Sequence, residues 1–215
     1  MNFSIAIDGP AGAGKSTIAR LVGEKFNLMY INTGSMYRAV TLFALRNNIG
    51  IHEIDKLIKL INSLNMHFEG ERLIVNGEDI SDEIRMPVIS ENVSMFSLIK
   101  EVREILVDLQ KEMAEHYNVI MDGRDIGTVV LCDSPYKFYL TASAEKRAER
   151  RYNELIAKGI SVNYNDILSD IIRRDNIDST REVSPLIKAE DAIEIDTSNM
   201  NIEQVVDKIS SYIKL

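Results

Sequence analysis

A segment near the amino terminus has the residue types and the spacing that hold a phosphate chain. Residues 9–17 read Gly-Pro-Ala-Gly-Ala-Gly-Lys-Ser-Thr, and glycine permits the tight backbone curl that turns N–H groups toward an anion. We expect Lys15 to reach the β- and γ-phosphates of a nucleoside triphosphate and the Ser16 hydroxyl to bind Mg²⁺. The predicted nucleotide site comprises Gly9, Pro10, Ala11, Gly12, Ala13, Gly14, Lys15, Ser16 and Thr17.

The neighbours of this segment favour a phosphate site over a simple connection. An apolar run precedes it at residues 3–7 and an amphipathic run follows at residues 18–26, which predicts a strand, a loop and a helix in that order. A helix that starts near Lys15 directs its positive end toward bound phosphates. The alternative is a glycine-rich turn that only links a strand to a helix. The complete pattern in this setting predicts that the chain binds ATP or GTP.

A second segment with possible phosphate chemistry spans residues 33–38 and follows the second predicted strand. Arg38 could grip a phosphate with two parallel hydrogen bonds, because the guanidinium group is a planar fork of donors. A plainer interpretation is that Thr33 caps a helix and that Arg38 faces solvent. The segment by itself leaves both interpretations open.

A third segment, residues 122–128, combines charged residues with glycines directly after an apolar run. Such a cluster at the carboxyl end of a strand is typical of a binding site. Arg124 suits a phosphate, and Asp125 suits an N–H group of a base or a sugar hydroxyl. Asp122 is a candidate for supporting Mg²⁺. The alternative is a loop whose charges pair only with one another.

Two arginine-rich segments follow the fourth predicted strand. The first contains Arg147, Arg150 and Arg151, and the second spans residues 173–181 and ends in a predicted loop at residues 184–186. Spacings of three and four place the first set on one helical face, where nearby glutamates could also make it a solvated ion-pair face. We expect a cationic flap over polyphosphate, because phosphoryl transfer spreads negative charge and requires water to be excluded.

The order of predicted elements indicates an α/β fold. Apolar runs at residues 3–8, 28–31, 119–122, 138–141 and 192–196 are mostly separated by helical patterns. This alternation predicts a five-stranded parallel sheet with helices on both faces. Residues 64–85 instead alternate with period two around Asn76-Gly77, a pair that suits a two-residue hairpin turn. They predict a small antiparallel insertion within the parallel frame.

Composition limits the classes of function. The chain has 215 residues, 45% of them hydrophobic, and a formal net charge of −8, so we expect one domain without a broad surface for nucleic acid. No apolar stretch is long enough for a membrane span, and the chain starts in a predicted strand, so we expect a cytoplasmic protein. Cys132 is the only cysteine, which fits a reducing compartment, and we expect it to be buried. We expect a monomer.

Taken together, these motifs resemble the bacterial cytidylate kinases, nucleoside monophosphate kinases among the P-loop proteins. The resemblance runs nearly end to end, through residues 7–17, 33–38, 76–85, 102–104, 122–128, 174–181 and 184–186. It implies a three-layer P-loop fold in a single kinase domain that spans residues 1–215. It also implies a monophosphate-binding insertion at about 62–95 and a mobile lid at about 147–185. The chain departs from the family pattern at Thr33, where serine is frequent, and at Lys100, where proline is frequent.

The resemblance also implies a role for each matching residue. Arg38, Arg124 and Arg181 would hold the phosphate of CMP or dCMP, with Thr33 in the same substrate site. Ser94, Arg103 and Asp125 would face the cytosine ring, and Arg174 and Asp178 would hold the ribose. Lys15, Arg124, Arg147 and Arg151 would act in catalysis, the last two from the lid. Ser16 would be the metal ligand.

The implied activity is transfer of the γ-phosphoryl group of ATP to CMP or dCMP, with Mg²⁺ as the metal. Asp125 could distinguish cytosine from uracil, because its carboxylate can accept a hydrogen bond from the cytosine amino group but would face an oxygen of uracil. One alternative is a kinase for another nucleoside monophosphate or a small hydroxylated metabolite. A second alternative is a GTP-operated switch, which would need a guanine-reading Asn-Lys-x-Asp motif that the sequence lacks.

Overall fold

The computed structural model describes residues 2–214 and contains two β-sheets and eight helices of more than one turn in that range. The strands are β1 Ser4–Asp8, β2 Met29–Asn32, β3 Met66–Glu69, β4 Arg72–Val75, β5 Glu78–Asp79, β6 Val119–Gly123, β7 Tyr136–Thr141 and β8 Ile193–Asp196. The helices are α1 Lys15–Phe26, α2 Thr33–Arg46, α3 Ile54–Asn62, α4 Pro87–Phe96, α5 Lys100–His116, α6 Ala144–Ala157, α7 Tyr164–Thr180 and α8 Ile202–Tyr212. Short turns of 3₁₀- and π-helix occupy Glu83–Arg85 and Ile126–Val130.

The large sheet is parallel throughout, with strand order β2–β6–β1–β7–β8. All five predicted strands are confirmed. Because the strands are parallel, their carboxyl ends meet at one edge of the sheet, where ligands bind in open α/β folds. At this edge Asp8 pairs in register with Gly123, and Asn32 pairs with Asp122.

Alternating side chains of the central strand divide the core into two layers, as the two-residue period of a strand requires. Ile5 and Ile7 lie in one apolar cluster with Val22 of α1 and Ile209 of α8. Ala6 lies in the other cluster, whose members include residues of α2 and α5. Helices therefore cover both faces, and the predicted three-layer fold is confirmed.

The small sheet, β3–β4–β5, is antiparallel and confirms the predicted insertion. Its second hairpin turns at Asn76 and Gly77, whose φ angles of 52° and 83° are both positive, as in the turn that an Asn-Gly pair favours. Phe68 and Leu73 are buried in the same apolar cluster as residues of α2. The insertion therefore packs onto the main core.

Two local features differ from what the sequence predicted: the exposure of Cys132 and the point at which the loop after α7 begins. The prediction that Cys132 is buried was wrong, because it lies exposed in the loop that follows the π-helical turn, beside the buried Leu131. The arginine-rich residues 173–180 form the end of α7, and the loop that follows begins at Arg181, three residues before the predicted loop at residues 184–186. No helix within residues 2–214 is both long and apolar enough to cross a bilayer.

Candidate active site

The glycine-rich loop joins β1 to α1 with a backbone that only glycine allows. Gly9, Gly12 and Gly14 have positive φ angles of 146°, 77° and 86°, and a Cβ on Gly9 would lie 2.0 Å from the carbonyl oxygen of Leu140. The helix α1 begins at Lys15, and no side chain caps its first turn. The first N–H groups of this helix are therefore available to an anion held in the loop.

The Lys15 side chain is buried and folds back over the loop, where its Nζ donates to the carbonyl oxygen of Pro10 at 2.7 Å. Burial, together with repulsion from Arg124, lowers the pKa of Lys15 to about 7. A phosphate chain in the loop would favour the charged ammonium form, because an opposite charge nearby raises the pKa of a lysine.

A cluster of oxygen atoms surrounds the Ser16 hydroxyl, which donates to the Asp122 carboxylate at 2.9 Å. The Tyr30 hydroxyl donates to the other Asp122 oxygen at 2.8 Å, and the Asn32 amide donates to both hydroxyl groups at 3.0 and 3.3 Å. Burial raises the pKa of Asp122, which favours its protonated form unless cations lie close. Hydroxyl and carboxylate oxygens are the ligands that suit a hard divalent cation such as Mg²⁺.

Across the same edge of the sheet, Asp125 is held between two buried arginines. Its carboxylate accepts from Arg103 at 2.5 Å and lies 3.5 Å from Arg181. The Arg103 guanidinium lies 5.3 Å from the centre of the Tyr37 ring, and its Nε has no hydrogen-bond partner within residues 2–214. The structure thus brings Arg103 and Asp125, two of the three residues expected at the base, into contact with each other and places Arg181, expected at the phosphate, beside them. Ser94 is also buried, on α4, but no hydrogen bond among the described residues joins its hydroxyl to Arg103 or Asp125.

The remaining predicted acceptor residues converge from α2, the loop after β6 and the end of α7. Arg124 donates to Asp178 of α7 at 2.7 Å. The alternative that the charges of residues 122–128 pair only with one another was therefore wrong, because the partner of Arg124 lies outside this segment. Asp178 is largely buried, which opposes ionisation, but pairing with Arg124 lowers its pKa. Arg174 has a buried Nε without a hydrogen-bond partner in the described chain.

Arg38 does not lie on the exposed face of α2. It donates to the carbonyl oxygen of Ile84 at 3.1 Å and to the Ser90 hydroxyl at 2.8 Å, and so links α2 to the insertion. Burial, together with repulsion from neighbouring arginines, Arg174 first among them, lowers the pKa of Arg38 to about 10. Such a cluster of arginines attracts an anion.

The residue that caps α2 is Asn32, whose side chain accepts from the Ser35 N–H at 2.9 Å. The alternative that Thr33 caps this helix was wrong. The Thr33 hydroxyl instead donates to the carbonyl oxygen of Asp122 at 2.8 Å. This bond ties the start of α2 to the carboxyl end of β6, because both segments reach the same edge of the sheet.

The three arginines of α6 have different surroundings. Arg147 is buried and donates to the carbonyl oxygen of Ala11 in the phosphate loop at 2.9 Å and to Asp175 at 2.6 Å. Arg150 donates to Thr197, whereas Arg151 is exposed and pairs with Glu154. A cavity of about 830 Å³ opens between these arginines, the phosphate loop and residues 197–205. Only Arg151 fits the alternative of a solvated ion pair.

Sequence reasoning missed several residues of this site. Tyr30 and Asn32 hold the Ser16–Asp122 pair, Asp175 pairs with Arg147, and Tyr37 lies against Arg103. The signal for Tyr30 and Asn32 was their place at the end of the second predicted strand. It becomes informative only when that strand is known to pair with β6.

A parallel sheet with a phosphate loop after its central strand, and an arginine-rich pocket at the same edge, define the protein as a P-loop kinase. A family model described as cytidylate kinase matches residues 5–215, and the chain belongs to this family. It is 67% identical over 213 residues to the cytidylate kinase of Clostridium acetobutylicum, with 99% of this chain and 98% of that protein covered. The identity to the cytidylate kinase of Clostridium perfringens strain SM101 is 66% over 212 residues, with the same coverage. The resemblance seen in the sequence is confirmed.

The fold is also similar to that of a solved shikimate kinase from Bacteroides thetaiotaomicron. The TM-score is 0.50 at 16% identity, and the match covers 99% of each chain. At this identity the similarity supports the fold alone. The choice of acceptor therefore depends on the family and on the residues of the site.

Proposed function

We propose that the protein transfers the γ-phosphoryl group of ATP to CMP or dCMP, giving ADP and CDP or dCDP. The observation that carries this choice of acceptor is the buried Asp125, held by Arg103 and Arg181 beside the arginine cluster. A carboxylate that reads an amino group and cations that hold a phosphate are the two features that a cytosine nucleotide needs. Membership of the cytidylate kinase family supports the same conclusion.

The donor nucleotide would occupy the glycine-rich loop and the cavity of about 830 Å³ beside it. The triphosphate would lie against the N–H groups of the loop and Lys15, and the adenosine would lie between α6 and residues 197–205. Ser16 would hold Mg²⁺, and Asp122 would orient it through the 2.9 Å contact with Ser16. When bound, Mg²⁺ neutralises charge on the β- and γ-phosphates.

The acceptor phosphate would bind Arg38, Arg124 and Arg181. The sugar would lie near Arg174 and Asp178 at the end of α7, with Thr33 at the floor of the site. Arg124 uses its Nε for Asp178 and one Nη for the carbonyl oxygen of Gly123, so its other Nη can still donate to a phosphate. Arginines in both the donor and the acceptor site lower the repulsion between two anionic substrates that must meet end to end.

Cytosine and uracil present opposite groups at the position that Asp125 would read. The carboxylate accepts from the cytosine amino group, with Arg103 and Ser94 beside it, whereas uracil places an oxygen there. An unsatisfied buried polar contact of this kind costs about 1–3 kcal/mol, which corresponds to roughly a 5- to 150-fold preference for CMP over UMP.

Transfer itself needs no covalent enzyme intermediate, because an oxygen of the acceptor phosphate attacks the γ-phosphorus directly. Lys15 and Arg147 already lie at the loop, where they would stabilise the charge that spreads over the moving group. Arg151 would have to leave Glu154 to join them. We propose that the segment at about 147–185 closes over both substrates and makes this exchange while it excludes water.

A panel of donors and acceptors tests this function. Purified protein would be assayed with Mg·ATP or Mg·GTP against CMP, dCMP, UMP, AMP and shikimate. The proposal requires the highest kcat/KM for CMP or dCMP. A preference for any other acceptor would indicate one of the other small-molecule kinases, and tight GTP binding without transfer would indicate a switch. Every group named above comes from one chain, so we also propose that the monomer is active, which light scattering under assay conditions can check.

A further inference from the structure

Asp8 is a buried carboxylate for which the proposed chemistry has no direct use. It is the last residue of β1, next to the first glycine of the phosphate loop, and it is only 4% exposed. Its two oxygens accept from the backbone N–H groups of Ile126 and Gly127 at 2.9 and 2.7 Å. It is not among the residues that line the 830 Å³ donor cavity.

The two N–H groups that Asp8 binds open the π-helical turn Ile126–Val130. The first N–H groups of any helical turn lack partners within it, so they need an acceptor from elsewhere when they are buried. Within this turn, the Val129 N–H donates to the carbonyl oxygen of Asp125 at 2.9 Å. Asp8 therefore caps the turn from a position 118 residues away in sequence.

The turn directly follows the two residues that we assign to the phosphate and the base of the acceptor, Arg124 and Asp125. Asp125 is also the residue that precedes the turn, with an irregular backbone at φ −143° and ψ 25°. Gly127 permits the close approach of Asp8, because a Cβ on Gly127 would lie 3.3 Å from the Asp8 carboxylate. Asp8 thus links two segments: its own backbone leads into the phosphate loop of the donor site, and its side chain binds the turn that follows the acceptor residues Arg124 and Asp125.

We propose that Asp8 is a positioning residue that sets the place of Arg124 and Asp125 relative to the phosphate loop, and that cytosine selection depends on it. This inference rests on the proposed function, because it concerns how the same site reads its acceptor. A carboxylate is required since both of its oxygens accept. An asparagine at this position would turn its NH₂ group toward one of the two backbone N–H groups, so that one bond is lost and two donors face each other.

The test compares Asp8→Asn with the wild-type protein. We expect the KM for CMP to rise about tenfold or more and the preference for CMP over UMP to fall by a similar factor, since one bond to a charged acceptor is lost. The KM for ATP should change less than about threefold. Amide hydrogen exchange of Ile126 or Gly127, whichever faces the new NH₂ group, should accelerate about tenfold or more when measured by NMR, because that amide loses its acceptor.

Ser134→Ala is the matched control. The Ser134 hydroxyl is buried and donates to the carbonyl oxygen of Ser4, at the other end of β1, at 2.6 Å. The control should lower stability without changing the ratio of CMP to UMP turnover. The proposal would be overturned if Asp8→Asn left both the ratio of CMP to UMP turnover and the exchange of the Ile126 and Gly127 amides unchanged. It would also be overturned if Asp8→Asn and Ser134→Ala lost selectivity equally.

Gly127→Ala keeps the test decisive if Asp8→Asn does not fold. The added Cβ presses on the Asp8 carboxylate and on the Lys137 side chain, both at 3.3 Å, so a milder loss of the same selectivity is expected. If Gly127→Ala folds and the amides at positions 126 and 127 exchange faster, the bonds to Asp8 have been weakened. Full retention of the preference for CMP over UMP in that variant would then contradict the proposal. A wild-type protein that does not phosphorylate CMP would refute the proposed function instead, whereas the exchange measurement needs no substrate.

Discussion

At the scale of single residues, the site holds two cations, Lys15 and Arg38, whose hydrogen bonds go to carbonyl and hydroxyl oxygens and not to carboxylates. Lys15 and Arg38 both have lowered pKa values, of about 7 and about 10, chiefly because burial removes them from water. Burying a cation without a partner is costly, and a bound phosphate offsets that cost. Binding of the two phosphate-bearing substrates therefore stabilises the buried Lys15 and Arg38 cations, which destabilise the free protein.

The lowered pKa of Lys15 predicts that ATP binding takes up a proton. Above about pH 8 the free protein holds Lys15 largely neutral, whereas the complex holds it protonated because the phosphates raise its pKa. Affinity for Mg·ATP should therefore fall as the pH rises above about 7. Calorimetry at pH 8 in two buffers of different ionisation enthalpy should show uptake of about half to one proton in the wild-type protein.

Lys15→Ala is the comparison for this prediction. It should abolish the proton uptake and lower kcat by about a hundredfold or more, while the KM for CMP stays within a few fold. Proton uptake that persists in Lys15→Ala would assign the titration to another group.

Asp125 is predicted to determine both base selection and local stability. Asp125→Ala would leave Arg103 buried without its carboxylate partner and Arg181 with only Asp178, at 3.8 Å, and loss of a buried partner costs about 3–5 kcal/mol of stability. Asp125→Asn keeps the shape and should lower the preference for CMP over UMP by about tenfold or more. The control is Glu104→Gln, an exposed carboxylate on the same helix as Arg103. Chemical denaturation measures the loss of stability, and kinetics with CMP and UMP measure base selection. An Asp125→Asn enzyme that keeps the wild-type preference for CMP would contradict the assignment of Asp125 to the base.

At the scale of elements, the sequence was sufficient wherever a local pattern determines structure. The five apolar runs and the Asn76-Gly77 turn were predicted because alternation and turn chemistry are local properties. By contrast, the structure divides the helical region of residues 87–116 into α4 and α5 at residues 97–99. Residues 97–99 contain no glycine or proline that would predict the break from sequence. We attribute the break to packing of the two helices against the rest of the core.

The Asn-Gly turn of the insertion gives a clean test of this local determination. Gly77 has a φ of 83°, and an added Cβ would have no neighbour within 4 Å. Any effect of Gly77→Ala therefore comes from backbone conformation alone, and we expect a loss of about 1 kcal/mol in the free energy of unfolding. Gly50 has no positive φ, and its added Cβ would make only an ordinary contact with a Glu53 carboxylate oxygen at 3.7 Å, so Gly50→Ala should change stability by less than about 0.5 kcal/mol. Equal effects of both substitutions in urea titrations would refute this account.

At the scale of the whole molecule, the active site consists of contacts between residues that are far apart in sequence. Ser16 meets Asp122, Arg103 meets Asp125 and Arg124 meets Asp178, over 106, 22 and 54 residues. Residue types alone identified most of these side chains as candidates. Their partners could not be predicted, because pairing depends on strand order and on how α7 returns to the sheet.

The central claim is that an arginine-lined acceptor site binds the phosphate of a cytosine nucleotide beside the glycine-rich loop. Calorimetric titration of the wild-type protein with CMP and with cytidine, under identical salt, tests it most directly. The arginine cluster predicts that CMP binds at least about a hundredfold more tightly, because charge-assisted bonds to the phosphate are absent from cytidine. Equal affinity for CMP and cytidine would contradict the account.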